Sequence, residues 1–111
     1  MKKMFGVLLV ALSLFVSAPQ ADAALHNMAN DSDGTSYYLD DVGITPLSGR
    51  KVEYSLHIYA PHGNFIERVY IHKVDGMWMY QANDGLDRLC RGTDWARNSL
   101  QWLFHNGYLV D

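Results

Sequence analysis

The sequence predicts an α+β domain: an antiparallel β-meander of three to four strands with one C-terminal amphipathic helix packed on its apolar face. Three observations carry this. Lys51 to Ala60 alternates cleanly between apolar and polar residues. Asp75-Gly76 is a strong two-residue hairpin signal between two strand-like runs. Between Thr93 and Gly107, apolar residues recur at helical spacing.

The chain has 111 residues, a formal net charge of −3 and one Cys. That length excludes a multidomain enzyme, and the single Cys excludes a disulfide scaffold. With 19% charged and 49% apolar residues it is not a disordered polyelectrolyte. The acidic balance argues against a nucleic-acid binder, which needs a basic face.

Residues 1–23 read as a signal peptide. Lys2 and Lys3 precede the apolar run Phe5 to Val16, and Ala21-Asp22-Ala23 matches the small-x-small cleavage pattern. The rival reading is an uncleaved anchor. As helix, the twelve residues of this run, only Ser13 among them polar, reach only about 18 Å, against a hydrocarbon core of about 30 Å. No Cys stands near the cut, so a lipid-modified N-terminal Cys has no acceptor. Removing residues 1–23 leaves 88 residues, with 7 basic and 11 acidic side chains. The expected location is therefore the periplasm, the cell surface or the medium. A domain of this size buries about 60–65% of its unfolded surface, so its core is thin. Two Phe, three Trp and seven Tyr supply bulk.

Residues 24–34 are small and polar without periodicity and read as a flexible lead. Residues 35–111 form the expected single domain. Ser36 to Asp40 reads as a first strand. Asp41 to Arg50, with Gly43, Pro46 and Gly49, reads as a loop. In the strand Lys51 to Ala60, Val52, Tyr54, Leu56 and Ile58 share one face. Pro61-His62-Gly63 is a turn, Asn64 to Val74 a long strand and Met77 to Ala82 the next.

Setting Asp75-Gly76 as the turn opposes Val74 to Met77, Lys73 to Trp78 and Ile71 to Tyr80. Setting His62-Gly63 as a second two-residue turn opposes Leu56 to Val69 and Tyr54 to Ile71. Both turns then collect Val52, Tyr54, Leu56, Ile58, Val69, Ile71, Trp78, Tyr80 and Ala82 on one face. A one-residue slip in either would scatter them. Asn83 to Gly92 reads as a loop with at most one helical turn. Thr93 or Asp94 caps a helix of about three turns that Gly107 stops. Tyr108-Leu109-Val110 is expected to pack back as a tail or short strand.

Candidate chemistry sits on the polar sheet face, which carries Glu53, His57 and His72. In this register His57 opposes Arg68 and Glu53 opposes His72. A cross-strand Glu–His pair could be an acid/base element or half a metal site; the plainer reading is a solvated face with one favourable pair. A four-residue offset puts His57 and His72 about 13 Å apart, too far for one metal ion. Asp31-Ser32-Asp33-Gly34 resembles the start of a calcium loop, but the twelfth position is Val42 rather than Glu. HExxH, GxSxG, CxxC and Walker-type patterns are all missing. The sequence therefore assigns no catalytic residue, cofactor or metal ligand. Cys90 reads either as a buried small hydrophobe or as a reactive thiol activated by Arg88 and Arg91. Trp95 and Trp102 share nearly one helix azimuth and read as core cover, or in part as an exposed binding stripe.

The run Asp33-Gly34-Thr35-Ser36-Tyr37-Tyr38-Leu39-Asp40, followed by a two-strand unit and a tight hairpin bearing Trp78 and Tyr80, resembles bacterial exported domains of the surface-adhesin protein E-like family. The resemblance spans roughly residues 33–82. It implies a surface or periplasmic binding role. The adhesin is disulfide-bonded, and this chain, with one Cys, departs from that. No binding residues carry over. The functional expectation is a non-enzymatic exported binding or interaction domain of unknown ligand, a protein being one candidate partner. The alternatives are a small enzyme on the Glu53/His57/His72 face, a structural protein, or an inhibitor of another exported protein.

Overall fold

The computed structural model describes residues 24–111. The signal-peptide reading of residues 1–23 lies outside the described residues. Among those described, six antiparallel strands form one curled sheet in simple sequence order. They are β1 (Leu25–Asn30), β2 (Ser36–Ser48), β3 (Lys51–Ala60), β4 (Gly63–Val74), β5 (Met77–Gln81) and β6 (Arg88–Leu89). A 3-10 turn (Cys90–Gly92) leads into helix α1 (Asp94–His105). The α+β class and the C-terminal helix agree with the sequence reading, while the sheet has six strands rather than three to four.

The two additional strands have physical explanations. Residues 24–34 are not a flexible lead, because β1 pairs with β2 from Leu25–Asp40 to Asn30–Ser36. A bulge between Asn27 and Ala29 breaks the alternation, and Met28 alone in this strand is buried. An edge strand with one buried side chain shows no period-two pattern. The expected loop at 41–50 is mostly strand too. β2 continues to Ser48 past an irregularity that places three extra residues between the pairs Asp40–Ser55 and Thr45–Glu53. Gly43, at φ +82°, accommodates that excursion. β6 and the 3-10 turn fall inside the segment read as a loop with one helical turn.

The β4–β5 hairpin matches the sequence register: Val74–Met77, Lys73–Trp78 and Ile71–Tyr80 are paired. Asp75 and Gly76 both take positive φ (51° and 80°), as a type I′ turn requires. The β3–β4 turn is Pro61-His62, not His62-Gly63, so Tyr54 opposes Val69, Val52 opposes Ile71, and Leu56 opposes Glu67. Proline's fixed φ suits the first central position of a turn, which Pro61 takes. The correction is two residues, an even number, so every side chain keeps its face. Val52, Tyr54, Leu56, Ile58, Val69, Ile71 and Tyr80 are all buried.

Helix α1 lies in the concave face of the curl and touches strands from both sides of the sheet. His26 of β1 meets Trp102 at 4.9 Å between ring centres. Trp95 packs between Tyr37 of β2 and Tyr80 of β5. Trp78 meets Phe104 edge-on at 5.2 Å. Ala96 and Leu103 enter the core fully. The tryptophans therefore cover the core. Thr93 precedes the helix, but its hydroxyl bonds Tyr80 Oη at 2.9 Å instead of capping the backbone. At the other end, Tyr108 N donates to Leu103 O and Gly107 N to Phe104 O, with Gly107 at φ +80°. This is the Schellman arrangement. The tail then packs back: Leu109 is buried and Val110 N donates to Gly49 O.

Candidate functional site

The convex face of the sheet presents the polar residues singled out in the sequence. It does not bring them together. The β3–β4 register opposes Glu53 to Tyr70 and Lys51 to His72. His57 opposes Ile66 rather than Arg68. His57 and His72 are therefore six register positions apart, about 20 Å. The Glu53–His72 pair is not formed. Glu53 instead lies 3.6 Å from Arg68, whose guanidinium also donates to Gly43 O and to the Ser55 and Thr45 hydroxyls. That arginine ties β4 to the irregular part of β2.

Each histidine of this face has its own aspartate. His57 Nε2 lies 2.9 Å from Asp40 Oδ2, and His72 Nε2 lies 2.8 Å from Asp87 Oδ1. Gln81 donates to the same Asp87 oxygen, and Tyr70 stacks on His72. The hydrogen bond from His72, then that from Gln81, holds the Asp87 carboxyl below the usual carboxylate range. A third pair, His26 with Asp41 at 3.0 Å, fastens β1 to β2 and lowers the Asp41 pKa. Among the described residues, no three His, Cys, Asp or Glu side chains converge on one point. The Asp31–Gly34 segment is a turn. Asp33 Oδ1 accepts from Thr35 N, and Asp31 Oδ2 accepts from Tyr37 Oη.

Cys90 is fully buried, and burial pushes its thiol up to about 12. Arg88 does not activate it, because its guanidinium is paired with Asp84. Cys90 lines a half-open cavity of about 210 Å³ with Met77, Trp78, Leu89, Arg91 and Leu100. Two hydroxyls inside the core, Tyr54 Oη and Ser99 Oγ, have no partner in hydrogen-bond geometry among the described residues. Burial raises the Tyr54 phenol well above its ordinary value, and Ser99 is near enough to offset this only in part.

The feature that the sequence reading missed lies at the far end of the β3–β4 hairpin. β4 has twelve residues and β5 has five. β5 pairs with Tyr70–Val74 only, so the outer side of Gly63–Val69 has no strand beside it among the described residues. The direction of the backbone groups follows from the two turns. Val74 and Met77 flank a two-residue turn, so Val74, His72 and Tyr70 aim their N–H and C=O groups at β5. Lys73 N donates the opposite way, to Arg50 O beside β3. Continuing the alternation, Asn64, Ile66 and Arg68 aim three donors and three acceptors at the open side. Phe65 and Ile66 sit next to each other here, on opposite faces, and are 52% and 60% exposed. Tyr59 flanks them opposite Asn64. Two signals were available: consecutive apolar residues in a strand that otherwise alternates, and the unequal lengths of the two runs either side of Asp75-Gly76.

No helix among the described residues is long and apolar enough to cross a membrane. The chain matches no family model, no curated protein and no solved structure.

Proposed function

We propose that this chain is an exported, non-enzymatic interaction domain that binds by strand addition along the open edge of β4, acting in the periplasm or at the cell surface. One observation carries the reading: an edge segment of Gly63–Val69 with outward backbone groups at Asn64, Ile66 and Arg68, and apolar side chains exposed on both faces. Such an edge is a template for another strand. The backbone bonds supply affinity, and pockets beside alternate side chains supply selectivity. The leader-like residues 1–23 and the resemblance to adhesin-type exported domains support the location and the binding role.

In-cell photo-cross-linking tests this reading. A photoreactive residue at Ile66 is expected to trap protein adducts in the envelope. The same group at Met77, which is exposed but away from the edge, is expected to trap few. Equal trapping at both positions would count against the edge. Export has its own test: material recovered outside the cytoplasm should begin at Ala24, and retention of Met1 would contradict it.

A second reading is a small enzyme on the convex face. The observation that favours it is the His72–Asp87 pair, in which His72 is largely shielded while its ring is held by a carboxylate. Such a pair orients an imidazole for proton transfer. This reading requires a substrate-sized recess beside His72; the recess of about 210 Å³ is lined by other residues.

A further inference from the structure

We infer that the strand added at the β4 edge is β4 of a second copy of this chain, antiparallel and centred on Ile66. This rests on the strand-addition reading above and names its partner.

The argument is one of self-complementarity. When an antiparallel pair continues one sheet, directly opposed residues share a face, and a two-fold axis passes perpendicular to the sheet. The axis must therefore oppose even-numbered to even-numbered positions along β4. The groups free to bond belong to Asn64, Ile66 and Arg68. Only a register centred on Ile66 uses all of them, opposing Ile66 to its copy and Asn64 to Arg68 of the second copy, with up to six backbone hydrogen bonds. It also spans the open segment from end to end, Gly63 opposite Val69.

The side chains favour the same centre. Around Ile66 no like charges are directly opposed: Glu67 opposes Phe65 of the second copy, Arg68 opposes Asn64, and the two Glu67 carboxylates share only a diagonal. The two Phe65 rings lie on a diagonal that aromatic side chains can span, and the exposed Ile66 side chains face each other directly. Centring one position later sets Glu67 against Glu67 and runs into Tyr70, whose groups β5 already occupies. Centring two positions later opposes Arg68 to Arg68. Centring one position earlier loses the bonds of Arg68. Like charges directly opposed across a ladder are destabilising. The product is two sheets joined along the open halves of their β4 strands, with apolar contacts at the seam on both faces.

The test uses the exported, processed protein and its thiols. Cys90 is buried, so an introduced surface Cys is the accessible one. Directly opposed residues have Cα atoms about 5.5 Å apart, within disulfide reach. Ile66→Cys is expected to form a covalent dimer quickly under mild oxidation. Glu67→Cys and Met77→Cys are expected to do so at least ten-fold more slowly. Sedimentation should show a concentration-dependent dimer that Ile66→Lys abolishes, while the circular dichroism spectrum stays unchanged and the Tm equals that of the parent protein at monomeric dilution. A monomer at all concentrations, with Ile66→Cys no faster than Met77→Cys, would overturn the self-pairing. If Ile66 still captured a different protein in the cell, strand addition would stand without the dimer. If it captured nothing, both would fall. A dimer linked fastest through Glu67→Cys would overturn the register.

Discussion

Two strand margins of the sheet, the outer side of β1 and the Gly63–Val69 stretch of β4, are built differently. At β1 the ladder is broken by a bulge at Met28, and Asn98 of the helix reaches across to donate to Met28 O at 2.7 Å. A helix side chain covers the backbone, and the bulge bends the strand. Both devices hinder another strand from docking. At β4, Gly63–Val69 pairs in unbroken register beside β3, with no bulge in that pairing and no cover on its outer side among the described residues. The large apolar residues are divided in the same way. Trp95, Trp102 and Leu103 are committed to the concave core, whereas Phe65 and Ile66 are left in solvent at the hairpin end.

Five substitutions and one change of pH separate the core, the two margins and the 82–88 connection. The largest effect belongs to the core. Leu56→Ala or Leu103→Ala should cost about 2–5 kcal/mol in denaturant melts, since both are fully buried. Ile66→Ala should cost the monomer less than about 0.5 kcal/mol. Similar losses at Leu56 and Ile66 would mean that the hairpin end is part of the core.

Next is Cys90→Ser, expected to cost about 1–2 kcal/mol by burying a hydroxyl without a partner. The native thiol should label slowly and become fast in denaturant, because burial keeps it protonated as well as inaccessible. Rapid labelling of the folded protein would contradict the burial.

Asn98→Ala removes the cover from β1. It should cost about 1 kcal/mol and raise amide exchange in Leu25–Asn30 while leaving β4 unchanged. A uniform rise across the sheet would show that Asn98 stabilises the whole fold rather than one margin.

The smallest effect is acid. Asp84 is held at about 2 by Arg88, and Asp87 is lowered by His72. A depressed carboxylate pKa contributes stability that is present above its ordinary value and lost as pH falls through the folded one. The 82–88 connection should therefore loosen between about pH 4 and pH 2. The groups are solvent-facing and their pairs are screened, so the loss should be small. Chemical shifts of Asp84 and Asp87 followed through that range would show it, and a midpoint near 4 for Asp84 would contradict it.

Much of the architecture is legible in the sequence because alternation and turn chemistry act locally. Asp75-Gly76 fixes one hairpin, the apolar alternation of Lys51–Ala60 fixes the face, and Gly107 marks the helix stop. What escapes is decided by tertiary contacts. β1 carries one buried residue and a bulge, so no period survives in its sequence. β2 crosses Gly43 and Pro46 because β3 pairs with it on both sides of an excursion. The His72 partner is Asp87, fifteen residues away in a loop whose path no local pattern specifies. The Glu53–His72 pairing failed because Pro61 moves the turn by one position and the register by two. The buried faces tolerate that shift; a pairing between two specific residues does not.

Amide hydrogen exchange along β4 in dilute processed protein tests the open edge most directly. The N–H groups of Phe65 and Glu67 bond to β3, whereas those of Asn64, Ile66 and Arg68 point outward. The expected result is alternation: Phe65 and Glu67 protected, Asn64, Ile66 and Arg68 exchanging fast, with Ile66 slowing as concentration rises. Uniform protection of all five in the dilute monomer would mean that something already covers the edge, and would contradict the account.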